Sequence, residues 1–194
     1  MKLFLVRHGQ SLANAERYYA GQGDAPLTEL GRQQAMGIRD VLKGISFDRV
    51  YSSDLSRAID TQKLALPGAK DVIRTPLIRE IHVGELQNSP IAEANQRAKE
   101  KGVVLRGDGY AAFGGESVSM MQERVREFLH MLEEDPCDCV AVFAHNGVLT
   151  VTLQIVLGVE IDRAAVFSQN CAIHVFEFVD GKWKLLAWNY KADV

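Results

Sequence analysis

Two runs of consecutive apolar residues dominate the hydrophobic pattern of this chain. One covers Leu3–Val6 and the other covers Cys139–Ala144. An unbroken apolar run of this length is typical of a strand that is covered on both faces, as in the parallel sheets of α/β proteins. We therefore predict two central strands, the first of which ends at the basic pair Arg7 and His8.

Amphipathic segments alternate with these runs and predict the helices. Thr28 is a suitable N-cap for a helix that extends to Gly44, with apolar residues along one side at Leu30, Ala35, Ile38 and Leu42. Further helices are predicted over 55–66, 89–101, 117–134 and 148–157, with one helical turn near 11–16. Further strands are predicted over 47–51 and 71–74. Residues 172–179 and 182–188 alternate in polarity around the turn Asp180-Gly181, which predicts an antiparallel hairpin.

This order predicts an α/β protein, a three-layer α/β/α sandwich whose central sheet is mostly parallel and carries an antiparallel C-terminal strand. A length of 194 residues suits one domain, 1–194, and is short for two. Residues 87–115 are polar and rich in glycine. We expect them to form a small helical and loop excursion that covers the site as a cap or lid.

Composition and charge narrow the function classes. The chain has 22 basic and 25 acidic residues and a net charge of −3, so we expect neither a nucleic acid nor a membrane as a partner. The first apolar run is too short for a signal peptide or a spanning helix, which makes a cytoplasmic location the default. The three cysteines lack metal or redox spacing and are expected to be reduced. The C-terminal hairpin could support a homodimer, but the oligomeric state stays open.

Basic side chains follow three of the predicted strands. Arg7 and His8 follow the first, Arg57 follows the second, and His145 follows the run at 139–144. In a parallel sheet these strand ends share one edge, where ligands bind. Repulsion among the four groups would be relieved by a dianion, and the planar fork of arginine matches phosphate oxygens. Nearby guanidinium charges also lower the pKa of a histidine, which leaves a neutral and nucleophilic imidazole.

Six motifs in order along the chain resemble the histidine phosphatase superfamily, in its phosphoglycerate-mutase-like branch. They span most of the sequence: RHGQSLAN (7–14), DAPLTELGRQQA (24–35), YSSDLSRAIDT (51–61), REIHVGEL (79–86), GGES (114–117) and AHNG (144–147). A single RHG would be weak evidence, whereas the ordered set is specific.

The resemblance implies roles for individual residues. His8 would carry a phosphohistidine intermediate, and Arg7, Arg57 and His145 would form the phosphate pocket with Asn14 as a further donor. Glu80 would donate a proton to the leaving oxygen, with Glu85 as the competing carboxylate. Substrate-binding roles at the rim are also expected for Gln10 and Asn146. The family often has other residues at these two positions. Substrate specificity is therefore the property that is least safely transferred from the family to this chain.

The remaining candidate residues have weaker signals. The histidines do not form a helical HxxxH pair and there is no acidic cluster, so we expect no metal or other cofactor. His82 could contact the rim or be structural, and His130 and His174 are expected to be structural. Aromatic residues could line a substrate mouth or simply pack, and the sequence leaves both open for Tyr18, Tyr19, Tyr110 and Phe113.

Three functions remain in competition. The leading hypothesis is a phosphomonoester hydrolase acting on a small phosphorylated substrate. The second is a phosphoglycerate mutase, which resembles this chain but usually has more residues between the Glu80 motif and the last histidine motif. The third is a non-catalytic regulator that binds phosphate esters, which the intact set of five candidate catalytic residues argues against.

Overall fold

A six-stranded sheet forms the centre of the computed structural model, which describes residues 1–105, 108–161 and 166–190. Its strands are β1 (Lys2–Arg7), β2 (Arg49–Ser53), β3 (Ile73–Thr75), β4 (Cys139–Ala144), β5 (Ile173–Val179) and β6 (Lys182–Tyr190). Their order in the sheet is β3-β2-β4-β1-β5-β6. The first four strands are mutually parallel, while β5 pairs antiparallel with β1 and β6 pairs antiparallel with β5. The predicted mostly parallel α/β sheet is confirmed.

Helices cover both faces of the sheet. They are α1 (Leu12–Glu16), α2 (Glu29–Gly37), α3 (Arg39–Leu42), α4 (Ser56–Ala65), α5 (Ile91–Glu100), α6 (Val118–Glu134) and α7 (Asn146–Leu157). Residues of α2, α3 and α4 pack on one face, and residues of α6 and α7 pack on the other. Short 3-10 helices occur at Pro76–Ile78, Gly84–Leu86 and Asp108–Phe113.

The apolar run of β1 is explained by its place inside the sheet. Leu3 and Leu5 belong to the core beneath α6 and α7, whereas Phe4 and Val6 contact the core beneath α2, α3 and α4. Both faces are covered, so no position facing the helices needs to be polar. This burial holds the strand in register with β4, where Arg7 pairs with Ala144.

Several predicted boundaries differ from the observed ones, including that of β3, which was predicted over 71–74 and spans Ile73–Thr75. β2 begins and ends two residues later than predicted, so Ser53 is its last residue. The helix predicted over 28–44 is divided at Ile38 into α2 and α3. Leu30 was wrongly placed on the buried side and is 49% exposed. The buried stripe starts one residue later, at Gly31, and continues through the expected positions Ala35, Ile38 and Leu42.

The topology brings the basic residues to one edge. Since β1, β2 and β4 are parallel, their carboxyl ends lie together, and α4 and α7 begin just beyond two of them. The predicted excursion over 87–115 contains α5 and a 3-10 helix, while its residues 106 and 107 lie outside the described residues. Among the described helices, none combines the length and apolar character needed to cross a membrane.

Candidate active site

A cavity of about 850 Å³ opens at the carboxyl edge of the parallel strands. Its wall includes six of the eight residues predicted to be catalytic or substrate-binding: Arg7, His8, Asn14, Arg57, Glu80 and Asn146. His145 is fully buried beside His8, and the centroids of the two imidazole rings are 5.2 Å apart. Arg7, His8, Arg57 and His145 are called the basic cluster below.

His8 is held as a neutral imidazole with a defined tautomer. Its Nδ1 lies 2.7 Å from the carbonyl oxygen of Gly9, which can only accept, so Nδ1 carries the proton and donates it. The lone pair is then on Nε2. Burial lowers the pKa of His8 well below its usual value, and the charges of Arg57 and Arg7 lower it further. The ring is therefore suited to nucleophilic attack at neutral pH.

A close backbone contact fixes the turn that carries His8. A Cβ atom on Gly9 would lie 2.3 Å from the carbonyl oxygen of Gly31 in the first turn of α2. The Gly9 amide donates to the hydroxyl of Thr61, which itself donates to the carbonyl oxygen of Arg57. The backbone after β1 is thereby tied to both α2 and α4.

Backbone carbonyl oxygens hold the two guanidinium groups. Arg57, in the first turn of α4, donates from Nη1 to Gly23 at 3.0 Å and from Nη2 to Gly21 at 2.8 Å. Arg7 donates from Nη1 to the carbonyl oxygen of Ser168, and its buried Nε has no hydrogen-bond partner among the described residues. Burial lowers the pKa of both arginines. These concentrated positive charges favour binding of an anion.

Glu80 is the acidic member of the site and lies on the segment between the 3-10 helices at 76–78 and 84–86. Its Oε1 accepts from the Ile81 amide at 2.9 Å, and its Oε2 accepts from the Gly147 amide at 3.1 Å, in the first turn of α7. Its negative charge raises the pKa of Arg7 and of Arg57 against the larger opposing effect of burial. Glu85, the competing carboxylate, instead pairs with Arg97 at 3.2 Å and has a 68% exposed side chain.

An ion pair that the sequence analysis missed holds the Glu80 segment (residues 79–82) in place. Arg124 of α6 donates to both carboxylate oxygens of Glu116, at 2.6 and 2.9 Å. The same guanidinium donates to the carbonyl oxygens of Leu77 and Glu80, and Glu116 accepts from the amide of His82. The GGES motif contained this carboxylate, but its pairing with Arg124, which lies eight residues further along in α6, was not predicted.

A second ion pair lies at the start of the same segment. Arg79 donates to both carboxylate oxygens of Asp54, at 2.7 and 2.5 Å. Gln22 donates to the carbonyl oxygen of Glu80 at 3.1 Å. The backbone around Glu80 is thus restrained from two directions, which limits the positions that its carboxylate can take.

The residues expected at the rim divide into two groups. Asn14 and Asn146 line the cavity, whereas Gln10 is not part of its wall. The side-chain oxygen of Gln10 instead accepts from the hydroxyl of Thr28 at 2.8 Å. Asn170, which was not anticipated, also lines the cavity and donates to the carbonyl oxygen of His8 at 3.0 Å.

The segment Ser168–Asn170 could have been found only with knowledge of the strand pairing. It immediately precedes β5, and β5 runs antiparallel to β1 with Ile173 opposite Val6. The start of β5 therefore lies at the edge where β1 ends. A sequence pattern shows that 172–179 is a strand but not which strand it pairs with.

Aromatic and apolar side chains form the outer part of the cavity. Tyr18, Tyr19 and Tyr110 all line it, and the rings of Tyr19 and Tyr110 contact edge to face with centroids 5.7 Å apart. Phe113 is buried in the core instead, beneath the guanidinium of Arg97. In the described ranges, no group of three or more His, Cys, Asp or Glu residues is arranged to hold a metal ion.

This chain is similar to known proteins in both sequence and fold. The chain is similar to a protein of Yersinia pestis (strain Pestoides F) named "Probable phosphoglycerate mutase GpmB", with 28% identity over 193 residues, 97% of this chain and 90% of that protein. Its fold is similar to the alpha-ribazole phosphatase from Shigella flexneri, with a TM-score of 0.86 and 25% identity, covering 99% of this chain and 98% of that one.

A second similar structure is a mycobacterial glucosyl-3-phosphoglycerate phosphatase in complex with VO3. It has a TM-score of 0.83 and 28% identity, covering 97% of this chain and 98% of that one. The family model of the histidine phosphatase superfamily (branch 1) matches residues 3–191, nearly the whole sequence. The chain therefore belongs to the histidine phosphatase superfamily, branch 1.

Proposed function

We propose that this protein is a phosphomonoester hydrolase that works through a phosphohistidine intermediate on His8. The observation that carries the proposal is the neutral His8, with its lone pair on Nε2, between two buried guanidinium groups in the cavity that Glu80 also lines. Membership of the superfamily supports an enzyme that acts on phosphate esters.

In the first step, Nε2 of His8 attacks phosphorus in line with the ester oxygen. The P–N bond forms as the P–O bond breaks, and Arg7 and Arg57 offset the charge on the non-bridging oxygens. Glu80 acts as the general acid and transfers a proton to the leaving oxygen. A positioned acid of this kind accelerates the departure of an alkoxide roughly 100-fold to 10,000-fold.

In the second step, water attacks the phosphohistidine. Glu80, now a carboxylate, accepts a proton from the attacking water as the P–O bond forms and the P–N bond breaks. His8 returns to its neutral state with the proton still on Nδ1, since the Gly9 carbonyl oxygen holds it there. Inorganic phosphate leaves with the site ready for another ester.

The same chemistry also permits a phosphoglycerate mutase, in which the phosphoryl group returns to an alcohol rather than to water. The similarity to the protein named "Probable phosphoglycerate mutase GpmB" is the specific observation that favours it. The short interval between Glu80 and His145 favours hydrolysis, as do the two phosphatases among the similar structures. We further propose that residues 87–115 cover the site, because Ile91, Leu105 and Tyr110 line the cavity.

Product analysis with matched histidine variants tests the proposal. Wild-type protein should release free phosphate from aryl and alkyl phosphates, and His8→Ala should lower the rate by more than about 1,000-fold. His130→Ala removes an exposed imidazole on α6 and should retain full activity. Interconversion of phosphoglycerates primed by a bisphosphate, without net phosphate release, would assign the mutase. Tight ester binding without any turnover would indicate a non-catalytic binding protein. If His8→Ala retained a tenth of the wild-type rate, His8 would be excluded as the nucleophile.

A further inference from the structure

Ser53 contacts one nitrogen of His145 and leaves the other without a partner. Its Oγ lies 2.8 Å from Nε2 of His145, and both residues are fully buried. The same Oγ accepts from the amide of Leu55 at 3.3 Å. Within the part of the chain that the structure describes, Nδ1 of His145 has no hydrogen-bond partner.

The hydrogen-bonding capacity of these groups distinguishes the two neutral tautomers of His145. If Nε2 carried the proton, it would donate to Ser53, and two buried groups would lack partners: the serine hydroxyl hydrogen and the lone pair on Nδ1. If Ser53 donates to Nε2 instead, its hydrogen and the Nε2 lone pair are both satisfied. The only buried group that remains is an Nδ1–H donor, and an unpaired buried polar group is costly.

A doubly protonated ring is disfavoured by its surroundings. Burial lowers the pKa of His145 well below its usual value, and the positive charge of Arg57 acts in the same direction. A neutral ring has a single N–H, so the position of that proton decides whether the ring can donate to an anion.

We propose that Ser53 is a positioning residue that fixes His145 as the Nδ1–H tautomer, so that a neutral imidazole donates this hydrogen to a phosphoryl oxygen beside His8. This inference rests on the proposed function for the identity of the acceptor, but the tautomer itself does not depend on turnover. His145 then contributes a hydrogen bond to the charge that develops on phosphorus, while the full positive charges come from Arg7 and Arg57. The imidazole adds no further cation next to the nucleophile.

A third buried histidine provides an internal control with the opposite tautomer. Nδ1 of His174 accepts from the amide of Asn189 at 3.1 Å, and its Nε2 lies 2.9 Å from the hydroxyl of Ser168. Because a backbone amide can only donate, His174 must carry its proton on Nε2. His145 and His174 are thus expected to differ within the same chain.

The direct test is ¹⁵N NMR of the wild-type protein labelled in its histidine rings, at pH 7 and without ligand. We expect a protonated Nδ1 and an unprotonated Nε2 for His145, and the reverse for His174. A proton on Nε2 of His145, or on both of its nitrogens, would overturn the proposal. Failure to detect a phosphohistidine would refute the proposed function without changing this result, so the two failures are distinguishable.

Two adjacent serines allow a matched pair of variants. Ser53→Ala removes the donor to His145, whereas Ser52→Ala removes a buried hydroxyl that donates to the carbonyl oxygen of Ser53. We expect Ser53→Ala to give a mixture of His145 tautomers and to lower kcat/KM about tenfold. Ser52→Ala should keep the tautomer and stay within about twofold of wild type. An unchanged tautomer in Ser53→Ala, or equal losses in both variants, would show that Ser53 acts only through packing.

Discussion

The basic cluster and the Glu80 segment meet in one cavity, but opposite kinds of backbone group hold them. In the basic cluster, donors on His8, Arg7 and Arg57 are oriented by carbonyl oxygens of loop residues. The carboxylate of Glu80 is instead oriented by two backbone amides. Backbone carbonyl oxygens therefore orient the basic side chains, and backbone amides orient the acidic one.

The two regions also differ in what supports them. The basic cluster follows the ends of buried strands, so the packing of the sheet determines its position. The Glu80 segment itself belongs to no described strand or helix and is held by the ion pairs of Arg124 with Glu116 and of Arg79 with Asp54. We expect the basic cluster to bind the phosphoryl group. We expect the Glu80 segment to matter when the leaving oxygen needs a proton.

The largest difference between the two regions should appear when the loss of kcat/KM in Glu80→Gln is compared between alkyl and aryl phosphates. Its kcat/KM should fall roughly 100-fold to 10,000-fold on alkyl phosphates, because an alkoxide needs protonation. Aryl oxides leave without much protonation, so the loss on aryl phosphates should be much smaller. Glu85→Gln alters an exposed carboxylate and serves as the control. Equal losses on both substrate types would remove Glu80 from the acid role.

Arg57→Lys tests the basic cluster while keeping its charge. A lysine cannot bind two phosphate oxygens with a planar fork or reach both Gly21 and Gly23, so kcat/KM should fall by about 100-fold on aryl and alkyl esters alike. Arg126→Lys, on the exposed side of α6, should behave as wild type. Steady-state kinetics on both ester types makes the comparison. A loss confined to alkyl esters would contradict the assignment of Arg57 to the phosphoryl group.

Glu116→Gln tests whether the ion pair with Arg124 positions Glu80. The variant should lower kcat/KM about tenfold on alkyl phosphates and little on aryl phosphates, since a displaced acid affects only the proton transfer. Thermal unfolding measured in parallel shows whether the fold is retained. Equal reductions on the two ester types would indicate a general structural role for Glu116 rather than positioning of the acid.

Buried histidines should also make the free energy of unfolding depend on pH. Burial lowers the pKa of His8, of His145 and, to about 3, of His174, so these rings stay neutral in the folded chain. Below the usual pKa of 6.5 the unfolded chain binds more protons. The free energy of unfolding is therefore highest above this pH and should fall as pH decreases, by about 1.4 kcal/mol per pH unit for each ring.

Urea denaturation between pH 6 and pH 5 measures this slope before most carboxylates titrate. His174→Asn removes one of the three rings and should reduce the slope of unfolding free energy against pH by about 1.4 kcal/mol per pH unit, which corresponds to one proton. His130→Gln, at an exposed position, should leave it unchanged. A wild-type slope near zero would show that these rings protonate in the folded state.

The sequence predicts the basic cluster better than the rest of the site for a physical reason. An unbroken apolar run identifies a buried parallel strand, and the residue that follows such a strand must lie at the ligand edge. Arg7, His8 and His145 are placed by this rule alone. Arg57 is placed by the helix that begins after β2.

Other parts of the site depend on contacts that are distant in sequence. The contacts of Glu116 and Arg124 with the Glu80 segment, and the donation from Asn170 to His8, need strand pairing and helix packing that no local pattern encodes. Gln10 shows the limit of motif matching, because its position beside RHG did not reveal that its side chain bonds to Thr28. Local periodicity likewise identified the helix containing Leu30 but misplaced that side chain by one position.

The most direct test of the proposed catalytic route is the capture of phosphorus on His8. An ester labelled with ³²P is mixed with enzyme, quenched within milliseconds in alkaline denaturant that preserves the P–N bond, and mapped by proteolysis. We expect label on the peptide that contains His8, formed and lost at rates compatible with turnover and absent from His8→Ala. Wild-type protein that hydrolyses the ester at full rate while His8 never becomes labelled would contradict this route.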